Sequence, residues 1–167
     1  MKRFLIIGNM NAVTTKDIFP LFKENKIWYG ITVHSGDRAF NVPDDYPLEA
    51  MNCGIDKDGK RFIRVNGVRW FTNLSHNSKR TLELTQRYDP DKYPKYDNYD
   101  AIEVSRIKDI PYDYDGVMGV PITILDYDFD EIDTIACSAY SDAKYYGNPP
   151  LYVNGNKKYA RILIRLK

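Results

Sequence analysis

The sequence predicts an α/β, strand-rich chain, and three observations carry that expectation. An unbroken apolar run, Phe4-Leu5-Ile6-Ile7, ends at Gly8 and the polar turn Asn9-Met10-Asn11. Apolar residues at helical spacing and then an aromatic, β-branched segment follow it, which is the order of a β-α-β unit. Two Asn-Gly pairs, Asn66-Gly67 and Asn154-Gly155, each separate segments of strand composition.

The first run has no polar alternation, which suits a strand buried on both faces inside a parallel sheet. Such a strand needs neighbours on either side, and only Met1, Lys2 and Arg3 precede it, so the chain reads as the later part of a larger domain. Thr14 and Thr15 are candidate N-caps, and Ile18, Leu21 and Phe22 recur at helical spacing. Pro20 is tolerated only in a first turn, which places the helix over residues 17–25. Residues 26–33, with Ile27, Trp28, Tyr29, Ile31 and Val33, favour a second strand.

Gly36, Pro43, Asp44-Asp45, Pro47, Gly54 and Asp58-Gly59 punctuate residues 35–60, which read as a loop with a short strand near 39–42. Arg61-Phe62-Ile63-Arg64-Val65 and Val68-Arg69-Trp70-Phe71-Thr72 flank Asn66-Gly67 and predict a two-residue hairpin, because both turn positions favour positive φ. Residues 101–107, 120–125 and 133–138 read as further strands. The second pair, Asn154-Gly155, divides Leu151-Tyr152-Val153 from Tyr159-Ala160-Arg161-Ile162-Leu163-Ile164, so the chain is expected to end on a strand.

A chain of 167 residues with 43% hydrophobic content can bury a real core in one domain. Its apolar runs fall far short of the ~20 residues that span a bilayer, so a soluble protein without a membrane partner is expected. Cys53 and Cys137 lie far apart without metal-type spacing, which suits a reducing, cytoplasmic compartment. The net charge of +1 hides a segregation: residues 88–133 hold thirteen acids against four bases, a net −9, and the rest carries +10. Bases concentrate at Lys60, Arg61, Arg64 and Arg69 and at Lys157, Lys158, Arg161, Arg165 and Lys167. They have two readings, a phosphate-facing surface or ordinary solvated strand faces.

Neither a G-x-G-x-x-G nor a Walker-type phosphate loop occurs, and His34 and His76 stand apart from any metal-ligand spacing, so no metal is expected. Asn148-Pro149-Pro150 matches three positions of the Asn-Pro-Pro-aromatic motif with which amino-group methyltransferases hold a flipped base. The fourth position is Leu151 and the setting, after Tyr145-Tyr146-Gly147, is turn-like, so the segment reads as a loop diproline. Trp70 and Phe71 are neighbours on a strand and point to opposite faces. Both rings can pack in a core, or one can stack on an extruded nucleobase for about 1–3 kcal/mol.

The chain resembles the C-terminal half of EcoRI-type adenine-specific DNA methyltransferases. The matching strings, in order, include Phe4-Leu5-Ile6-Ile7-Gly8-Asn9-Met10-Asn11-Ala12, Glu24-Asn25-Lys26-Ile27-Trp28, Val68-Arg69-Trp70-Phe71-Thr72-Asn73-Leu74, Tyr93-Pro94-Lys95-Tyr96-Asp97-Asn98-Tyr99-Asp100 and Ile110-Pro111-Tyr112-Asp113-Tyr114-Asp115-Gly116. The resemblance implies the later part of a methyltransferase-like, Rossmann-type mixed sheet over residues 1–87. A β-rich C-terminal extension, with a target-recognition role, follows over residues 88–167. It further implies methyl transfer from S-adenosylmethionine to the N6 amine of adenine in duplex DNA.

The family's cofactor strand and its Asn-Pro-Pro-Phe motif lie upstream of the matched region, so no cofactor is expected to bind this chain alone and no catalytic residue is assigned. Trp70, Phe71, Arg69 and Asn73 are the candidate base-stacking or DNA-binding residues by this resemblance. The implied partners are DNA and a missing N-terminal half. The alternatives are a non-catalytic DNA-binding module and a remnant that self-associates through its open sheet edge.

Overall fold

Turn residues recur every few positions, and the strands between them are short. The structure is a computed structural model, described here for residues 2–31, 38–49, 52–76, 80–128, 131–139 and 148–167. It is strand-rich, with little helix and several small sheets.

β1 (Leu5–Asn9), β2 (Trp28–Tyr29) and, later in the chain, Val68–Thr72 form one three-stranded sheet. Between β1 and β2 run a 3-10 helix, Met10–Thr14, and the single α-helix among the described residues, α1 (Phe19–Lys23). β3 (Arg38–Asn41), β4 (Cys53–Ile55) and β5 (Arg61–Val65) form an antiparallel sheet with β5 in the middle. Val68–Thr72 is β6, and it lies between β1 and β2, antiparallel to both. The β-α-β order is therefore present, with an antiparallel strand inserted between its two strands.

β7 (Arg80–Thr81) pairs in parallel with β10 (Tyr127–Asp128). β8 (Ile102–Glu103), β9 (Met118–Pro121), β11 (Ile132–Cys137) and β14 (Arg161–Leu166) make a mixed sheet in the order β11-β14-β9-β8, with only β8 and β9 parallel. β12 (Tyr152–Val153) and β13 (Asn156–Lys157) form a hairpin. The main buried cluster joins Val13, Phe22, Tyr29 and Phe71 to Ile102, Val120, Ile162 and Ile164, across the boundary expected at residue 87.

Several expectations need correcting. β1 is an edge strand paired antiparallel to β6, and Leu5, Ile6 and Ile7 are 54%, 57% and 47% exposed, so it is not a doubly buried parallel strand. α1 is shorter than residues 17–25, because Thr14 and Thr15 close the 3-10 helix instead of capping α1: their hydroxyls donate to the carbonyls of Asn11 and Ala12. Asn25, at φ 52°, ends the helix in a Schellman-type arrangement in which Lys26 N–H reaches the Leu21 carbonyl. The second strand is confined to Trp28–Tyr29, and Val33, with residues 35–37, lies outside the described residues.

The two strands around Asn66-Gly67 have the expected bounds, yet they enter different sheets and do not pair with each other. A type I′ hairpin turn needs positive φ at both central residues, and here only Gly67 has it, at 68°. The turn is instead held by β1's end: Met10 N–H donates to the Gly67 carbonyl, and Asn9 Nδ2 to that of Asn66. At Asn154-Gly155 both φ values are positive, 51° and 74°, and the hairpin forms. Of residues 120–125, all but the first two belong to a 3-10 helix, Ile122–Asp126, because Pro121 ends β9.

Candidate functional site

The sheet β1-β6-β2 sets the two faces on which the candidate residues lie. Cross-strand partners share a face, so Ile6, Phe71 and Tyr29 form one row, and Ile7 pairs with Trp70 on the other side. Phe71 is buried, 5.3 Å from the Tyr29 ring and 5.9 Å from that of Phe22, both in edge-on contacts. Its neighbour Trp70 is only half-buried and lies on the opposite face, against Gly30. A Cβ at Gly30 would stand 2.8 Å from the Trp70 Cβ, so glycine there lets the β2 backbone approach the ring's root. The Gly30 N–H donates to the Trp70 carbonyl at 2.9 Å.

Arg69 shares the inner face with Phe71. Its Nη2 donates to Asp126 Oδ2 at 2.5 Å and its guanidinium lies 5.2 Å over the Tyr29 ring. Tyr29 in turn donates its hydroxyl to the Met10 carbonyl, and burial pushes its pKa far above the usual tyrosine value. Asn73 bonds the opening segment: its Oδ1 accepts from Phe4 N–H at 3.0 Å, and its Nδ2 donates to the Lys2 carbonyl at 2.8 Å. The structure therefore brings Arg69 and Phe71 together inside the molecule, holds Asn73 on the N-terminal segment, and leaves Trp70 alone of the four on the outer face.

Around Trp70 the outer face continues through Trp28, whose Nε1 donates to the Leu74 carbonyl, and His76, which packs edge-on against Trp28 at 6.4 Å. His76 Nε2 donates to the Tyr29 carbonyl at 2.9 Å, and His34 lies outside the described residues. The sequence carries no local sign that Trp28 and His76 lie in this context. Only the cross-strand register, Trp28 opposite Thr72, places them beside Trp70, and pairing between distant segments leaves no local signal.

The basic residues do not make two uniform surfaces. Arg69 is spent on Asp126. Arg161 grips buried Glu103 through two parallel contacts, Nε to Oε2 at 3.0 Å and Nη2 to Oε1 at 2.6 Å. Tyr96 also donates its hydroxyl to Glu103 Oε2. Lys60, Arg64, Lys157, Arg165 and Lys167 remain on the exterior.

Many acids of the 88–133 region act locally as acceptors. Asp97 receives the N–H groups of both Asn154 and Gly155, Asp113 that of Tyr88, and Asp109 the Arg106 guanidinium. Much of that net −9 is therefore tied into turns and ion pairs instead of forming one repelling face.

In the diproline segment, Asn148 Nδ2 donates to the Cys137 carbonyl at 2.7 Å, and the Pro150 carbonyl accepts from Asn98 Nδ2 at 2.9 Å. The Asn148 side-chain amide nitrogen and the Pro150 carbonyl are thus both bonded within the fold. Burial pushes the Cys137 thiol up to about 11, which makes it a packed residue and not a nucleophile.

Among the described residues no group of three or more His, Cys, Asp and Glu side chains could hold a metal ion. A cleft lined by Tyr46, Pro47, Glu49, Asn52, Cys53, Ile63 and Arg64 encloses about 320 Å³ on the β3-β5-β4 sheet. No helix among the described residues is long and apolar enough to cross a membrane.

Comparisons with known proteins give the family. The profile of adenine-specific methyltransferase EcoRI matches residues 1–167. Type II methyltransferase M.EcoRI of Escherichia coli is 45% identical over 170 residues, covering 99% of this chain and 51% of its own. Type II methyltransferase M.MpnI of Mycoplasma pneumoniae is 37% identical, covering 98% of this chain and 56% of its own, and M.MgeORF184P of Mycoplasma genitalium is 35% identical over 98% and 57%. No solved structure matches. The chain spans about half the length of these curated relatives. It belongs to the EcoRI family of adenine-specific methyltransferases.

Proposed function

We propose that this chain is one part of an adenine-N6 DNA methyltransferase of restriction-modification type, and that it is catalytically incomplete by itself. The observation that carries the reading is identity of 45% over 99% of the chain to an enzyme of which it covers 51%. In this reading β1, β6 and β2 belong to a Rossmann-type sheet whose remaining strands, with the S-adenosylmethionine site, are supplied by the other part. Residues 88–167 belong to target recognition, and DNA is the substrate partner. Trp70 is the residue offered to an extruded adenine, since Phe71 and Arg69 are committed to the interior.

The chemistry asked of such a site is stacking and positioning of the base, while the methyl donor and the groups that hold the N6 amine come from outside this chain. The test is calorimetric titration of S-adenosylmethionine into the purified chain, followed by labelled methyl transfer to adenine-containing duplex DNA. The expected result is neither binding nor transfer by the chain alone, with transfer appearing when the complementary part is supplied. Clear cofactor binding by the chain alone would overturn its incompleteness. Continued absence of transfer with the complementary part present would overturn the enzymatic reading.

A further inference from the structure

We propose that Arg38 and Arg64, at one end of the β3-β5-β4 sheet, grip the phosphate backbone of duplex DNA beside the base offered to Trp70. The grip deepens the functional reading above and rests on it, and it places backbone contacts outside residues 88–167.

The sheet stands apart from the core. Among the described residues none of its members enters either buried cluster, and β3 is exposed along its whole length. Its strands hold Arg38, Arg61 and Arg64 and no carboxylate. Four of the acids in this stretch lie in its turns: Asp44 and Asp45 follow β3, Asp58 is in the turn after β4, and Asp56 folds inward to accept the N–H groups of Asp58 and Lys60.

The register places the two arginines. Arg38 pairs with Val65 and Ala39 with Arg64, so both stand at the end where β3 begins and β5 finishes. They point to opposite faces, because cross-strand partners share a face and neighbours alternate. The turns that hold the four acids leave from the opposite end, after Asn41 and Ile55.

Neither arginine is committed within the fold. Among the described residues neither forms an ion pair, whereas Arg69, Arg87, Arg106 and Arg161 each do. Arg61, by contrast, donates its Nη2 to the Tyr46 carbonyl at 2.7 Å. Glu49 lines the same cleft as Arg64 without pairing with it. The Arg64 guanidinium lies 5.5 Å over the Phe62 ring, and that ring lies across Gly54, where a Cβ would meet it at 3.4 Å. A guanidinium laid on a ring keeps its edge donors open and is already oriented for a bidentate oxyanion.

The occupant follows from charge and position. β5 runs through Asn66-Gly67 directly into β6, so Arg64 and Trp70 are six positions apart in the chain and at most about 20 Å apart in space. That distance is about six steps along one strand of a duplex, at 3.4 Å per step. An adenine stacked on Trp70 therefore brings the phosphates of its own strand within reach of the arginine-bearing end of the sheet.

The experiment follows the anisotropy of a labelled duplex of mixed sequence, titrated with the purified chain across a series of salt concentrations, since phosphate contacts do not read sequence. The logarithm of the parent's affinity should fall linearly with that of salt. Arg38→Gln and Arg64→Gln should each reduce the slope by about 0.9, and the double variant by about 1.8. Arg64→Lys keeps the charge and loses the planar stack, so it should keep the parent slope while binding between the parent and Arg64→Gln. Glu49→Gln removes a repelling carboxylate and should tighten binding at low salt. Lys16→Gln, an equal loss of charge at an exposed residue elsewhere, should leave the slope unchanged. Both arginines are exposed, so their variants should melt close to the parent chain by circular dichroism.

Parent slopes retained in both arginine variants overturn the grip. So does a slope reduced equally by Lys16→Gln, which would trace the effect to net charge alone, and so does a parent chain that binds no duplex at low salt. Methyl transfer by the chain together with its complementary part is scored separately. Slopes reduced as expected without transfer keep the grip and remove the enzymatic reading, whereas transfer with slopes unmoved does the reverse.

Discussion

Arg69 and Asp126 meet inside the molecule at 2.5 Å, their side chains 1% and 10% exposed, and tie β6 to the 3-10 helix Ile122–Asp126 across 57 positions of sequence. Removing one partner of a buried pair strands the other charge in low dielectric, a loss of about 3–5 kcal/mol. Asp126→Ala should therefore lower the urea midpoint strongly. The double replacement Arg69→Met with Asp126→Leu should recover most of that loss, because it removes both desolvation costs together. A double variant no better than Asp126→Ala would show that the pair is not the seat of the effect.

A second buried ionic group makes stability depend on alkaline pH. Burial, then the hydrogen bond to Glu103 and its charge, push the Tyr96 hydroxyl well above its ordinary value of 10.0. Between the unfolded and folded values the native state keeps a proton that the unfolded state has lost, so stability is full below about pH 10 and falls as pH rises beyond it. Tyr29, raised chiefly by burial, acts in the same direction. Each tyrosine should contribute a slope of up to about 1.4 kcal/mol per pH unit in that range. Urea unfolding measured across alkaline pH should show Tyr96→Phe with a shallower decline than the parent chain, and an unchanged slope would refute the assignment.

The two Asn-Gly turns should respond differently to the same substitution. Asn154 occupies the left-handed region at φ 51°, and Asp97 accepts from its N–H and from that of Gly155. Asn154→Ala should cost about 1–2 kcal/mol, the penalty for placing a Cβ without local hydrogen bonding in that region. Asn66 is not among the residues with positive φ, so Asn66→Ala should stay within about 0.5 kcal/mol. Thermal melts of the two variants side by side measure the difference, and equal losses would contradict the turn geometry.

These turns also show what the sequence could convey. Composition marked the strands β5 and β6 at their observed bounds, because β-branched and aromatic residues bounded by turn residues are a local signal. It could not say that the two part into different sheets, since that is decided by Met10 and Asn9 arriving from a distant segment to occupy the turn.

β1 shows the converse limit. Its apolar run is legible as a strand but reads as one buried on both faces, whereas β1 is an exposed edge strand antiparallel to β6. At the site, adjacency in sequence was enough to place Trp70 and Phe71 on opposite faces. Which face was interior depended on Phe22, Tyr29 and Asp126, brought together only by the fold.

Trp70 and Phe71 offer the sharpest separation of stability from function. Phe71 packs against Phe22 and Tyr29 in the core, so Phe71→Ala should cost about 3–5 kcal/mol of stability whatever the protein binds. Trp70 is half-buried on the outer face, so Trp70→Ala should cost less stability while weakening binding to adenine-containing duplex by about 1–3 kcal/mol at low salt. Fluorescence excited selectively at tryptophan reads this directly, because the chain has two tryptophans and Trp28→Phe leaves Trp70 as the sole one. Emission from Trp70 should then fall as duplex is added and return as salt displaces it, since phosphate contacts govern the affinity. Unchanged emission, with Trp70→Ala binding as tightly as the parent chain, would remove Trp70 from the DNA-facing surface.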